Sequence, residues 1–216
     1  MKIQYFKGSF FHTPVHGQLE FVEEALLLVN EEGIIQSIVR PTDEMYADTL
    51  HAAKQTPDFV ELAQGQYFLP GFIDLHVHAP QWPQAGVALD TPLNHWLDEC
   101  TFPLEAKYED VDFAKEVYQD LVAHLLAQGT TTVLYFATVH QAASLALAEI
   151  CGQQGQRGLV GKVVMDLEEM NPSYYRDASA QSAIEETESF ILAVKELGKD
   201  VKQGIYPVVT PRFVPS

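Results

Sequence analysis

The sequence predicts an α/β fold in which an opening region of short strands precedes a series of alternating strands and helices. Turn residues separate short β-branched and aromatic runs within the first 67 residues. From residue 68 onward, apolar strand-like runs alternate with longer stretches whose apolar residues recur at helical spacing. This alternation is typical of a parallel sheet whose strands are connected by helices.

Three β segments are predicted in the opening region. They are residues 21–29, 33–39 and 59–68. The polar sequence Asn-Glu-Glu-Gly at residues 30–33 predicts a turn between the first two segments. Residues 41–58 are polar and contain prolines, so they are predicted to form a loop or a short helix.

Four strands and three helices between them are predicted after residue 67. The strands are residues 68–76, 130–136, 159–165 and 204–210. The helices are residues 111–128, 141–154 and 180–197, and a glycine follows each of them. An open doubly wound sheet and a (β/α)8 barrel both begin in this way.

Two further observations bear on this choice. The Gly-x-Gly-x-x-Gly phosphate turn of dinucleotide-binding sheets is absent from the sequence. A complete barrel takes about 250 residues, whereas residues 68–216 provide about 150. A barrel would therefore be represented by about its first half.

Acidic residues dominate the charge. The sequence has 13 Lys and Arg against 30 Asp and Glu, which gives a formal net charge of −17 at pH 7. Binding to nucleic acid or to anionic membranes depends on clustered basic side chains, so neither partner is expected. The N-terminus lacks the apolar segment of a signal peptide, and Cys100 and Cys151 do not make a disulfide framework. A soluble, reduced, cytoplasmic protein is expected.

The Asp-Leu-His-Val-His sequence at residues 74–78 is the most informative motif. Because side chains alternate between the two faces of a strand, His76 and His78 are expected to point the same way and to lie close enough to share one metal ion. Zinc accepts imidazole nitrogens as ligands. The sequence has 8 His, so about 0.3 His-x-His pairs are expected by chance, and the position of this pair at the end of a predicted strand strengthens the prediction.

The residues around this motif carry a resemblance to a known family. Residues 69–78, Leu-Pro-Gly-Phe-Ile-Asp-Leu-His-Val-His, resemble the metal-binding opening of the amidohydrolase superfamily. The segments that resemble the guanine deaminase family within it, in order and spacing, are residues 79–81, 96–97, 101–108, 129–132 and 210–213. The resemblance implies that residues 68–216 are about the first four strands of a (β/α)8 TIM-type barrel. Residues 1–67 would then be the N-terminal part of a small β-sandwich domain.

The resemblance also implies zinc-dependent hydrolysis of guanine, the small-molecule substrate, to xanthine and ammonia. His76 and His78 would be two of the zinc ligands. Gln81 would hydrogen-bond the purine, Arg212 would donate to a purine acceptor, and Phe213 would pack against the ring. Without the resemblance, these last three would be interpreted as a loop residue, a surface cation and a core residue.

The sequence offers one close pair of ligands where catalytic zinc usually takes three. The resemblance implies that the remaining ligands, and the glutamate that moves protons, lie on later strands beyond Ser216. No catalytic acid or base is therefore expected in this chain, and the isolated chain is expected to be inactive. His140 and Asp166 are weaker candidates for the site, and Glu105 is expected to have a structural or interface role.

Two alternatives stay open. One is another amidohydrolase that acts on an aminated or chlorinated heterocycle. The other is a non-catalytic truncated protein that keeps only dimerisation or binding surfaces. The cytidine-deaminase type of zinc site is excluded, because the sequence lacks its His-x-Glu and Pro-Cys-x-x-Cys motifs. For the full-length protein, a homodimer is expected.

Overall fold

A computed structural model describes residues 2–212. The chain divides into two compact units, Met1–Pro70 and Gly71–Ser216. Each unit contains its own β-structure, and all the residues predicted to bind metal or substrate belong to the second unit. None of the helices in residues 2–212 has both the length and the apolar sequence of a membrane-spanning helix.

The described part of the first unit, residues 2–70, contains five strands and one helix. They are β1 (Ile3–Val15), β2 (Gln18–Asn30), β3 (Ile35–Val39), α1 (Tyr46–Lys54), β4 (Val60–Glu61) and β5 (Tyr67–Phe68). β1 and β2 form a long antiparallel hairpin, and β3 lies antiparallel beside β2. β4 and β5 both pair with β1 in the parallel direction. The predicted turn is present, since Asn30 Oδ1 accepts hydrogen bonds from the backbone of Glu32 and Ile34.

The sheet of the first unit has buried residues on both of its faces. Ala25 and Leu26 are adjacent on β2 and fully buried, and adjacent strand residues point to opposite faces. Leu26 packs in a cluster with Ala53 of α1, whereas Ala25 packs in a separate cluster with Phe10. The strands described in this unit form one sheet, so the β-sandwich stays a prediction.

The second unit contains six strands within residues 71–212. They are β6 (Phe72–His78), β7 (Thr130–Phe136), β8 (Arg157–Gly161), β9 (Val163–Val164), β10 (Ile205–Pro207) and β11 (Thr210–Pro211). β6, β7, β8 and β10 form a parallel sheet in which they lie in chain order. β9 and β11 form a separate parallel pair. The second unit is therefore α/β, as the sequence predicts, and the carboxyl ends of its four main strands lie along one edge.

Helices connect these strands. The main ones are α4 (Val111–Ala127), α5 (Gln141–Gln154) and α6 (Ala180–Leu197). Between β6 and α4 lie a 3-10 helix (Ala79–Gln84), α2 (Leu93–Trp96), a π-helical turn (Leu97–Thr101), α3 (Phe102–Ala106) and a second 3-10 helix (Lys107–Glu109), and a third 3-10 helix (Gly198–Asp200) follows α6. Asp110 caps α4 by accepting from the backbone of Asp112 and Phe113, and Gly155 ends α5 with a left-handed φ of 85°.

One apolar cluster joins the sheet to its helices. Val133 and Tyr135 of β7 are fully buried and pack in a cluster with Leu121 of α4 and Leu147 of α5. These strand residues share a face because they are two positions apart. The packing fixes α4 and α5 against that face, while Phe136, the next residue of β7, points to the other face, where the histidine motif lies.

Two predicted strands are each divided in the structure. Residues 159–165 contain most of β8 and all of β9, and residues 204–210 contain β10 and the start of β11. The Thr210 hydroxyl donates to the backbone oxygen of Lys162, which lies between β8 and β9, at 2.8 Å. A Cβ atom on Gly161 would lie 2.3 Å from Thr210 Cγ2, so only glycine permits this approach. The two predicted strands are therefore interrupted at neighbouring positions, and their C-terminal parts, β9 and β11, form the separate parallel pair.

Candidate metal and substrate site

His76 and His78 lie at the carboxyl end of β6 and share one face of the strand, as predicted. Their ring centroids are 5.1 Å apart. The ring of Phe136 lies 4.6 Å from that of His76 and 5.0 Å from that of His78. Phe136 pairs with His78 in the register of β6 and β7, so the end of the neighbouring strand supports both imidazoles. Two imidazoles in this arrangement can contribute to one zinc site.

The surroundings of His78 keep its imidazole neutral. The pKa of His78 is lowered to about 4, first by burial and then by the Arg212 cation. Neutral imidazole is the form that binds a metal ion. The buried Nδ1 atom of His78 also has no hydrogen-bond partner within residues 2–212. The donor chemistry and this unpaired nitrogen fit a zinc ion.

The described residues supply two ligands and not three. Within residues 2–212, no group of three or more His, Cys, Asp or Glu side chains is arranged to hold a metal ion. The carboxylate of Asp74, on the same strand, accepts a hydrogen bond from the backbone of His76 at 3.1 Å. Catalytic zinc sites usually have three protein ligands and an open position, so His76 and His78 form part of such a site.

Gln81 lies in the 3-10 helix that directly follows β6. Its side-chain Nε2 donates to Glu105 Oε1 at 3.0 Å. Two more bonds hold the same helix against residues 101–108, because Tyr108 donates to the Pro80 carbonyl at 2.9 Å and Gln84 donates to the Thr101 hydroxyl at 2.8 Å. Gln81 is therefore fixed in place immediately beyond the histidine pair.

Arg212, which follows β11, forms a buried ion pair with Glu105. Nη2 of Arg212 donates to Oε1 of Glu105 at 2.8 Å, and Nη1 donates to Oε2. Glu105 has no solvent exposure and Arg212 is 9% exposed. Burial alone would lower the pKa of Arg212, but its bonds to Glu105 outweigh burial and raise it. We refer to Gln81, Glu105 and Arg212 as the Glu105 cluster.

The structure thus connects Gln81 and Arg212, which the sequence predicts as substrate-binding residues, through the carboxylate of Glu105. The sequence predicts a structural or interface role for Glu105 but not its two partners, and in the structure its carboxylate binds both Gln81 and Arg212. Arg212 lies 107 positions from Glu105 in the sequence, so no local pattern could reveal the pair. The available signal was that all three residues lie in segments that carry the family resemblance.

The other predicted site residues are His140, Asp166 and Phe213, and the first two are not part of the Glu105 cluster. His140 lines a cavity of about 540 Å³ with Tyr175 and Asp177, and its pKa is lowered mainly by burial. Asp166 follows β9 and is half-buried. Neither residue forms a hydrogen bond with the Glu105 cluster. Phe213 lies outside the described residues, so its contact with a purine stays a prediction.

A histidine pair at the end of the first strand of a parallel sheet, beside buried polar side chains, is typical of metal-dependent hydrolases. Residues 67–216 match the model of the Amidohydrolase family, and the chain belongs to this family.

Similar proteins include several guanine deaminases. The chain is 36% identical to the guanine deaminase of Dictyostelium discoideum over 222 residues, which cover 99% of this chain and 48% of that protein. It is 38% identical to the human guanine deaminase over 208 residues, which cover 96% of this chain and 44% of that protein. The chain therefore spans about half the length of the curated relatives it matches.

A solved structure is similar over the whole chain. The guanine deaminase of C. acetobutylicum, whose crystal structure has guanine bound in the active site, superposes with a TM-score of 0.80 and 31% sequence identity. The superposition covers 100% of this chain and 47% of that chain.

Proposed function

We propose that the whole protein containing this chain is a zinc-dependent guanine deaminase, which hydrolyses guanine to xanthine and ammonia. The observation that carries the proposal is the Glu105 cluster beside the histidine pair, in a chain 31% identical to a guanine deaminase with bound guanine. This arrangement combines neutral imidazoles for a metal ion with buried polar groups that can hydrogen-bond a purine.

Each residue has a defined part in this proposal. His76 and His78 would hold the zinc ion, which when bound lowers the pKa of a water molecule and supplies a nucleophile near neutral pH. Arg212 would donate to a purine acceptor, since its guanidinium is always charged and offers donors only. Gln81 would hydrogen-bond the purine edge, and Phe213 would pack against the ring.

The architecture of the second unit supports the view that it is the first half of a barrel. β6, β7, β8 and β10 lie in chain order without the reversal of a doubly wound sheet. β6 is at one edge, and its Phe72, Ile73 and Leu75 are 55%, 65% and 62% exposed. We propose that later strands of the whole protein cover this edge and provide the remaining zinc ligands and the proton-transferring glutamate.

The organisation of the chain is proposed on the same basis. Residues 68–216 would be the first four strands of the barrel, and residues 1–67 would be part of a small β-sandwich domain. A cytoplasmic location and a homodimer stay predictions.

Ammonia release by the whole protein tests the proposed function. With guanine we expect zinc-dependent turnover, which is lost on chelation and restored by zinc. Adenine and a chlorinated triazine should be poor substrates, and the isolated 216-residue chain should release no ammonia from guanine. A zinc-loaded whole protein that prefers one of the other heterocycles would contradict the assignment of guanine, and activity of the isolated chain would contradict the need for further ligands.

Replacing Arg212 with leucine tests the purine contact. Loss of a charge-assisted hydrogen bond is expected to lower kcat/KM for guanine. The decrease should correspond to a loss of transition-state stabilisation of about 2–3 kcal/mol or more. Zinc content per folded protein should not change, because Arg212 is not a proposed ligand. Gln81→Ala should give a smaller loss, since a neutral hydrogen bond is weaker.

Steady-state kinetics with metal analysis measure these effects. Arg157→Leu is the matched control, because Arg157 is exposed and begins β8, at the end of the strand remote from the site. If Arg212→Leu turns over guanine as the parent does, Arg212 does not contact the purine, and the substrate of this amidohydrolase is open again.

A further inference from the structure

One buried carboxylate connects the two side chains proposed to bind the purine. Oε1 of Glu105 accepts from Gln81 Nε2 at 3.0 Å and from Arg212 Nη2 at 2.8 Å, and Oε2 accepts from Arg212 Nη1. Glu105 is on α3, Gln81 is in the helix after β6, and Arg212 follows β11. Three distant segments of the chain are therefore held together by a single side chain without solvent exposure.

These bonds fix the direction of the Gln81 amide. An ionised carboxylate can only accept hydrogen bonds, so the NH2 group of Gln81 must face Glu105. The amide oxygen of Gln81 then remains free, since it has no hydrogen-bond partner within the described part of the chain. Gln81 can therefore present an acceptor to a ligand.

The same bonds fix Arg212 as a donor. Its planar guanidinium carries five N–H groups, and the paired contacts with Glu105 occupy two of them. The ring of Phe102 lies 5.5 Å from Arg212 Cζ and restricts the guanidinium further. Tyr175 is a further hydrogen-bond partner of Arg212, so the N–H groups that neither Glu105 nor Tyr175 occupies can donate to a ligand.

We infer that Glu105 is a positioning residue that sets the hydrogen-bonding polarity of the purine site, with an acceptor at Gln81 and a donor at Arg212. This inference rests on the proposed function. Guanine has a ring carbonyl next to a ring N–H, which is an acceptor beside a donor. Adenine has an amino group next to an unprotonated ring nitrogen, which is the opposite order. The polarity set by Glu105 therefore favours guanine over adenine.

The Glu105→Gln variant of the whole protein tests the inference. A glutamine at this position can donate as well as accept, so the Gln81 amide is free to turn and Arg212 loses its charged partner. For each bound zinc, kcat/KM for guanine is expected to fall by about tenfold or more, the equivalent of one charge-assisted hydrogen bond. The change should lie mainly in KM, and the preference for guanine over adenine should narrow.

Glu116→Gln is the matched control, because Glu116 is an exposed carboxylate of α4 in the same unit. It should behave as the parent does. A purely structural role for Glu105 would instead lower the melting temperature and the zinc-loaded fraction, and leave KM and the guanine preference of the loaded protein unchanged. That result would overturn the inference while the proposed function stands.

A triple variant shows whether Glu105 acts through Gln81 and Arg212. In the Gln81→Ala/Arg212→Leu background, Glu105→Gln should lower kcat/KM for guanine no further, since residues that share an interaction are not additive. Additive losses would show that Glu105 acts independently of both side chains and would contradict the inference.

A nuclear magnetic resonance measurement on the parent separates this inference from the proposed function. The side-chain amide signal of Gln81, assigned by its loss in Gln81→Ala, should show slow hydrogen exchange that becomes fast in Glu105→Gln. If guanine is not deaminated but this pattern is seen, the proposed function fails and the positioning by Glu105 stands. Exchange in the parent as fast as that of an exposed glutamine would overturn the positioning, whatever the activity and whether or not Glu105→Gln folds.

Discussion

Replacing His76 with alanine is expected to remove bound zinc and guanine deamination from the whole protein together. His76 and His78 are the two described residues proposed as ligands, and their rings lie 5.1 Å apart. A catalytic zinc with three protein ligands loses one of them in this variant. The loss of zinc affinity should exceed the roughly 10- to 100-fold that removal of an outer hydrogen-bond partner of a ligand costs.

Elemental analysis and ammonia release on the same preparations measure this effect. His51→Ala is the control, because His51 is exposed on α1 in the first unit and should leave zinc content and turnover unchanged. Full zinc occupancy in His76→Ala, with the turnover of the parent, would show that His76 is not a ligand.

The second large effect is expected at a buried ion pair away from the Glu105 cluster. Lys162 Nζ donates to Asp177 Oδ1 at 2.7 Å, and the side chains are 0% and 2% exposed. Asp177 Oδ2 also accepts from the backbone of Met165 at 2.7 Å. Asp177→Ala leaves the Lys162 ammonium with Glu186 at 3.3 Å as its nearest counter-charge. The free energy of unfolding is expected to fall by about 3–5 kcal/mol, the usual cost of leaving a buried charge without its partner.

Urea unfolding followed by circular dichroism measures this loss. The double variant Lys162→Met/Asp177→Asn removes both charges and keeps an acceptor for the Met165 backbone, so it should be more stable than Asp177→Ala. Lys199→Ala, which breaks an exposed ion pair with Glu196, should change stability little. A loss in Asp177→Ala no larger than that in Lys199→Ala would show that the buried pair does not stabilise the fold.

Most of the secondary structure of the second unit could be predicted from local sequence patterns. β7, α5 and α6 have the predicted bounds, because a β-branched run and helical spacing followed by glycine are properties of neighbouring residues. The division of the two later strands could not be predicted in the same way. It depends on the approach of Thr210 to Gly161 and Lys162, about 50 positions earlier in the sequence, and such a contact leaves no local pattern.

The candidate site was predictable where the motif is local. His76 and His78 lie two positions apart on one strand, so the sequence alone places them on one face. The connection among Gln81, Glu105 and Arg212 was not predictable, because it joins three elements distant in sequence. A glutamate on a helix is usually exposed, and only the tertiary structure shows that Glu105 is buried between two donors.

A crystal structure of the whole protein with zinc and a bound purine tests most directly the claim that the histidine pair and the Glu105 cluster form one site. An anomalous zinc signal is expected about 2.0–2.1 Å from one nitrogen of His76 and of His78. The bound purine is expected to accept a hydrogen bond from Arg212 and to donate one to the Gln81 amide oxygen. Zinc bound by other residues, or a purine that contacts neither Gln81 nor Arg212, would contradict this claim.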